Sequence, residues 1–216
     1  MTISAQELRS RLAQLKRNVL RVDELMENER AKLGDHTLNP HSSMPREAVE
    51  PAAVLMPIIL REDEPTVLFT KRADHLTRHA GQVSFPGGRL HVEDADLVAT
   101  ALRETEEEVG IRPMEVEIAG FLDVYETGTG YRILPVVGFV KPGFALAPDP
   151  REVEAIFEVP LSFLMNPDNH QRHVGIWSGR RREYYAMPYA GYYIWGATAG
   201  MLRNFYERIY AQEMTA

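Results

Sequence analysis

Cysteine is absent from all 216 residues, which excludes disulfides, zinc–thiolate sites and cysteine nucleophiles. Any metal must be held by oxygen or imidazole ligands. No apolar run approaches the roughly 20 residues that a membrane helix needs. The first twenty residues, MTISAQELRSRLAQLKRNVL, lack the apolar centre of a secretory signal. The terminal EMTA is neither an ER nor a peroxisomal address. The chain is therefore read as cytoplasmic, with no membrane partner. An excess of basic residues is missing too. With 24 Lys and Arg against 31 Asp and Glu, the formal charge is −7, which argues against a nucleic-acid surface but not against a local basic pocket. Internal repeats and low-complexity tracts are also lacking. What remains is 44% hydrophobic and 25% charged, the balance of an ordinary globular protein long enough for one substantial domain and an appendage.

Residues 4–32 read as helix, because Leu8, Leu12, Leu15, Val19 and Val22 recur at steps of three and four. Their mixed-charge setting favours packing on the protein over lying on a membrane. Residues 33–50, LGDHTLNPHSSMPREAVE, are polar and rich in Pro, His and Ser, and read as a linker or wrapping loop. AAVLMPIIL (52–60) and TVLFTKR (66–72), joined by the charged REDEP, predict a hairpin. GQVSFPGG predicts a strand ending in a glycine turn, and the following periodicity a helix over 95–109 stopped by Gly110. VEIAGFLDVYET and YRILPVVGFV read as two strands around GTG, and EAIFEVPLSFLM as a strand with a short helical piece. HVGIWSGRRREYYAMPYAGYYIWG reads as a further hairpin, and ATAGMLRNFYERIYAQ as an amphipathic helix with Met201, Leu202, Phe205 and Ile209 on one side. This pattern implies an α/β (α+β) protein with a mixed sheet covered by helices.

ETEEE places four glutamates within residues 104–108. Like charges three and four apart repel by a few tenths of a kcal/mol, so the helix alone gains nothing from them. At about 100° per residue, Glu104, Glu107 and Glu108 fall in one arc, while Val98, Leu102, Thr105 and Val109 point the other way. The pattern predicts a solvated acidic face opposite an apolar one, with Asp94 or Asp96 capping the helix and Arg103 pairing with Glu107. A solvated face with no further role is the ordinary meaning of such a cluster. Two features favour a divalent cation, Mg2+ or Mn2+: glycines bracket the acids, and few lysines are present to pair with them. Such an ion polarises phosphoryl oxygens and activates water.

RETEEEVGI (103–111) resembles the second half of the Nudix box, Arg-Glu-Φ-x-Glu-Glu-x-Gly-Φ with Φ apolar, and Thr105 stands at the first Φ. The first half departs: Asp94 stands where the family has Glu, and eight residues rather than seven precede Arg103, which leaves the role of Asp94 open. The resemblance implies a metal-dependent hydrolase of the Nudix fold, an α/β/α sandwich around a mixed sheet. It implies that Glu104, Glu107 and Glu108 bind metal, with Glu104 also a candidate to orient the attacking water. Arg103 would position the carboxylates, and Gly87 and Gly88 would let backbone approach metal and diphosphate.

The preceding LFTKRADHLTRHAGQVSFPGG (68–88) resembles the signature of the coenzyme A pyrophosphohydrolase branch, with Thr70, Arg72, Ala73, Gly81, Phe85, Pro86, Gly87 and Gly88 in register. Phe69 replaces Leu, and Thr77 takes the second Arg position with Arg78 following. The resemblance implies a coenzyme A-like small-molecule substrate, cleaved to adenosine 3′,5′-bisphosphate and a 4′-phosphopantetheine by attack of water on one phosphorus. ADP-ribose or a nucleoside triphosphate is the alternative substrate, and a non-catalytic ligand sensor the alternative class. Lys71, Arg72, Arg78 and His79 form the densest basic patch near the box, for a phosphate or as plain surface cations. Gln82 and Ser84 alternate with Val83 and Phe85, which predicts a polar pair toward the cleft and an apolar pair toward the core.

DPREVEAIFEVPL (149–161) resembles the family segment that returns an acid to the metals, so Glu152 is a candidate metal ligand or general base, or else a surface glutamate before a strand. YYIWGATAGML (192–202) resembles a segment common in the same branch, whose aromatics can reach an adenine or pantetheine but read mainly as core. Arg180, Arg181 and Arg182 read as a solvated run in a hairpin turn, and His75, His79 and His91 lack a spacing that would join them to the glutamates as ligands. The expected division is an N-terminal helix and linker over 1–50 and a hydrolase domain over 51–216, the helix offering a surface for a homodimer.

Overall fold

The computed structural model describes residues 4–13, 22–27, 31–40, 49–177 and 179–211. In chain order the elements are α1 (Ala5–Ala13), α2 (Val22–Glu27), β1 (Leu33–Gly34), α3 (Asp35–Leu38), β2 (Glu50–Ile59), β3 (Thr66–Arg72), β4 (Val83–Ser84) and β5 (Gly87–Arg89). Then come α4 (Leu97–Val109), β6 (Val116–Phe121), β7 (Tyr125–Glu126), β8 (Tyr131–Val140), β9 (Val153–Pro160) and α5 (Leu161–Leu164). β10 (Gln171–Trp177), β11 (Arg180–Tyr189), β12 (Tyr192–Trp195) and α6 (Ala197–Ile209) complete the chain.

The spine is the parallel pair β2 and β8, in register from Glu50↔Tyr131 to Ile59↔Val140. Both strands are buried on both faces, which is why AAVLMPIIL and ILPVVGFV are continuous apolar runs rather than alternating ones. Side chains still divide by parity. Met56, Ile58, Val137 and Phe139 face one cluster with Leu8, Leu12, Met201, Leu202, Phe205 and Ile209. Ala53, Leu55, Leu134 and Val136 face another with Leu25, Leu97 and Ala101. The mixed sheet, ordered β1-β7-β8-β2-β3-β4 with β5 on β2, β6 on β8 and β9 on β3, therefore lies between α1 and α6 on one side and α2 and α4 on the other. The 52–60 and 66–72 runs form the expected hairpin, with Ile58 opposite Val67.

Several elements differ from expectation. The helix read over 4–32 is α1 and α2 in its described parts, and Leu15 and Val19 lie outside the described residues. By Leu33 the chain is already extended, because Leu33 and Gly34 pair with Tyr125 and Glu126 at the sheet edge. The linker read over 33–50 thus contains β1, α3 and the first residue of β2, while 41–48 lie outside the described residues. VEIAGFLDVYET is two strands, since Asp123 leaves the sheet to accept from Asn204 Nδ2 at 2.9 Å and Arg208 Nη1 at 2.7 Å. The hairpin read over 173–196 is a three-stranded antiparallel sheet, β10-β11-β12. Its second turn was masked by an alanine: Ala190 and Gly191 both take positive φ, 46° and 87°, as a two-residue type I′ loop demands.

The N-terminal segment is fastened to the sheet by a buried ion pair. Arg132 Nε donates to Glu126 Oε2 at 2.9 Å, with the two side chains 1% and 4% exposed. Arg132 Nη1 also donates to the carbonyls of Leu25 and Met26, at 3.3 and 3.4 Å. Replacing one partner strands the other's charge in the core, so Arg132→Met should lower stability by about 3–5 kcal/mol in chemical denaturation. The double variant Arg132→Met/Glu126→Leu should regain most of that loss; a single variant within about 0.5 kcal/mol of the parent would contradict this account.

Candidate functional site

Helix α4 starts at Asp96, whose side chain accepts from Ala99 N at 2.8 Å, and ends at Gly110, with φ 82° in the left-handed region. Its buried residues are Leu97, Thr100, Ala101, Thr105, Glu108 and Val109, whereas Val98 and Leu102 are only half-buried. The acidic residues are therefore not uniformly solvated. Side-chain exposure is 60% for Glu107, 18% for Glu104 and 4% for Glu108. Positions 97, 101, 105 and 108 follow one helical stripe, which carries Glu108 down onto the sheet.

The reason a carboxylate fits there is the strand beneath it. β5 is Gly-Gly-Arg, and Gly87 N donates to Glu108 Oε2 at 3.3 Å. A Cβ on Gly88 would stand 2.5–2.7 Å from the Glu104 carboxylate, and one on Gly87 would stand 2.5 Å from the backbone of Ala53 and Val54. The two glycines thus serve different ends, the first letting strands β5 and β2 close and the second leaving room for a side chain.

Arg103 ties the helix surface together. Its Nε and Nη2 donate to the two Asp94 oxygens at 2.8 and 2.9 Å, and its Nη1 reaches Glu104 at 2.9 Å and Glu107 at 3.3 Å. Asp94 also accepts from His91 N and Thr100 Oγ1, at 2.9 and 2.8 Å. The Arg103 guanidinium holds the Asp94 carboxyl well below the usual carboxylate range, and Asp94 in turn holds Arg103 high. Asp94 is thus an anchor for Arg103, while Asp96 caps the helix.

A cavity of about 1000 Å³ opens beside α4. Glu104, Glu108 and Glu152 line it together with Gly87 and Gly88, and so do Arg72, Arg78, His79, Gln82 and Ser84. Arg103 and Glu107 do not reach its wall. Burial pushes the Glu108 carboxyl up to about 8; Arg72, with Nη1 3.6 Å from Glu108 Oε1, opposes the shift, while Glu104 and Glu152 add to it. Burial also raises Glu104, against the pull of Arg103.

Among the described residues, no three acidic or imidazole groups stand close enough to form a finished cage. The donor set nevertheless fits a cation. Three carboxylates line one cavity, Glu104 and Glu152 both disfavour ionisation of Glu108, and Glu108 faces one guanidinium beyond hydrogen-bond distance. A hard cation with waters completing its shell relieves that repulsion.

The basic patch separates. Lys71 turns away to pair with Glu154 at 2.8 Å, so it leaves the cavity group; on β3 its side chain alternates to the face opposite Arg72. His79, at φ 57°, hydrogen-bonds Gln82 Oε1 through Nδ1 at 2.9 Å. Val83 and Phe85 are buried while the neighbouring Gln82 and Ser84 are half-buried. Sequence reasoning missed much of the remaining wall. Asp35 and Asn39, from the supposed linker, line the cavity with Thr127, Tyr131 and Tyr184, and so does Trp195, an aromatic of the 192–202 segment. Arg182 lines it as well, contrary to the solvated reading, whereas Arg180 and Arg181 are exposed. Strand parity was the available signal, since Arg182 and Tyr184 share a face of β11.

Residues 49–178 match the family model described as NUDIX domain. The relative named "Uncharacterized Nudix hydrolase NudL" from Enterobacter sp. (strain 638) is 43% identical over 158 residues, covering 71% of this chain and 79% of that protein. The protein of the same name from Escherichia coli O157:H7 (strain EC4115 / EHEC) is 41% identical over 153 residues, with the same two coverages. Among solved structures, the NUDIX domain of Shewanella oneidensis NrtR complexed with ADP ribose covers 84% of this chain and 97% of its own, at 16% identity and a TM-score of 0.47.

The two glycines separate stability from site geometry. Gly87→Ala should destabilise the fold by about 1–3 kcal/mol through backbone overlap. Gly88→Ala should change stability by less than about 1 kcal/mol, because only a flexible carboxylate must move. It should nonetheless weaken Mn2+ binding about tenfold by displacing Glu104. Thermal melts and calorimetric Mn2+ titrations check both, and equal behaviour of the two variants would contradict the assignment.

Proposed function

Because this chain belongs to the Nudix family, we propose that it is a Nudix hydrolase whose diphosphate-linked substrate is coenzyme A or an acyl derivative. The observation that carries the site assignment is Glu108, a buried carboxylate on the cavity wall with too little positive charge around it. The reading of the substrate rests on the 68–88 signature, whose Arg72, Arg78 and His79 line the same cavity as the acids.

Glu104 and Glu108 would hold Mg2+ or Mn2+, with Glu107, here paired with Arg103 at 3.3 Å, the third carboxylate of the set. The bound cation would draw charge from the phosphoryl oxygens and make water more acidic. Arg103, fixed by Asp94, orients the Glu104 carboxylate. Gly87 and Gly88 line the cavity beside the acids, where the diphosphate would lie along β5, and Gly88 leaves room for the Glu104 carboxylate. Arg72 offers its Nε and terminal nitrogens to a phosphate, and Arg78, His79, Gln82 and Ser84 extend the polar wall. Glu152, which lines the same cavity and acts electrostatically on Glu108, is the candidate to accept the proton of the attacking water at its carboxylate. The chemistry belongs to the domain over 51–216, and the segment over 1–50 contributes Asp35 and Asn39 to the far wall. The products would be adenosine 3′,5′-bisphosphate and a 4′-phosphopantetheine.

Incubation of the full chain with coenzyme A, ADP-ribose and a nucleoside triphosphate, in Mg2+ and in Mn2+, followed by chromatography, tests this assignment. Coenzyme A should be consumed fastest, and Glu108→Gln should slow it by about 100-fold or more. Faster turnover of ADP-ribose or the triphosphate would replace the substrate. No turnover of any of the three would favour a ligand sensor, and near-parental turnover by Glu108→Gln would move the site.

A further inference from the structure

Among the described residues, two buried side-chain polar atoms have no hydrogen-bond partner: Arg72 Nε and Arg182 Nε. Both arginines line the same cavity. A buried donor without an acceptor loses its hydration for nothing in return, so such atoms are rare unless a ligand supplies the acceptor. Arg72 stands beside Glu108, where the diphosphate is placed above. Arg182 stands elsewhere, on the three-stranded sheet, and the reaction as described makes no use of it.

The surroundings of Arg182 explain how it is held. On β10 its cross-strand neighbour is Gly175, which leaves its side chain uncovered from that strand. Its Nη1 lies against the turn that joins β7 to β8, 3.1 Å from where a Cβ on Gly128 would stand. Asp35 lies against the same turn, but its oxygens are committed to Tyr125 Oη at 2.8 Å and Gly128 N at 2.6 Å. Arg181, the preceding residue, instead faces Glu183 at 3.6 Å. Arg182 is therefore a cavity-lining guanidinium whose Nε lacks an acceptor, in a cavity that Thr129, Tyr184 and Trp195 also line. A planar fork with free donors matches the oxygens of a phosphate.

We propose that Arg182 binds a phosphomonoester group of the substrate, separate from the diphosphate that is cleaved. This rests on the reading of the substrate as coenzyme A, which carries a 3′-phosphate in addition to its diphosphate. It moves recognition of that phosphate from the patch before the acidic helix to the sheet that follows β9.

The test compares coenzyme A with dephospho-coenzyme A, in the full chain and in Arg182→Met and Arg182→Lys. The parent should favour coenzyme A in kcat/KM. In Arg182→Met the ratio of the two values should fall by about 10- to 100-fold, the range expected for one charge-assisted phosphate contact, with Arg182→Lys in between. An unchanged ratio in Arg182→Met, whatever happens to the absolute rates, overturns the proposal, because an arginine that serves the diphosphate or the sheet would affect both substrates alike. If the parent hydrolyses neither compound, the substrate reading has failed, and calorimetric binding of adenosine 3′,5′-bisphosphate against AMP decides the subsite alone. Tighter binding of the bisphosphate, lost in Arg182→Met, supports it; equal binding of the two overturns it.

Discussion

A buried carboxylate with insufficient counter-charge is the constraint from which the rest of this site follows. Glu108 is 3% exposed, and the neighbours that stabilise its anion are one arginine at 3.6 Å and one amide at 3.3 Å. Left metal-free, burial and the nearby Glu104 and Glu152 favour its protonated form. A fold that placed this side chain merely to pack would be more stable with an apolar one. Its retention makes sense where an external cation completes the arrangement.

Much of the architecture serves to keep that carboxylate in place. The parallel pair β2 and β8 provides a floor buried on both sides, α4 packs on it, Gly88 leaves room for the Glu104 carboxylate, and the Gly87 amide donates to Glu108. Asp94 grips Arg103 with both oxygens, so the guanidinium that meets Glu104 and Glu107 is itself fixed. Across the cavity, the buried Arg132–Glu126 pair and the Asp35 contacts hold the N-terminal segment against the turn on which Arg182 rests. The cavity thus combines the acids of α4 with cations from both sheets, Arg72 on β3 and Arg182 on β11.

The sequence was most legible where a residue's role is set by its neighbours along the chain. Helix α4, its Gly110 stop and the hairpin of β2 and β3 all follow from local periodicity and turn chemistry, which narrowed the cap to Asp94 or Asp96. The burial of Glu108 was not legible, because helical angles give a face but not how deep that face sits against strands elsewhere in the chain, such as β5, whose Gly87 amide donates to Glu108. Asp94 was ambiguous for the same reason: its partner Arg103 lies nine residues on, and the extra residue between them had no local meaning. Asp35, Asn39 and Arg182 were missed because their environment is assembled from segments roughly ninety to a hundred and forty residues apart. Ala190 concealed a turn, since alanine is seldom found at positive φ.

The most direct measurement is the anomalous difference density of a crystal of the full chain grown with Mn2+. The account predicts a peak within coordination distance of Glu104 and Glu108, against the backbone of Gly87 and Gly88. A peak bound elsewhere, or none at saturating Mn2+ with Glu108 facing only Arg72, would contradict it.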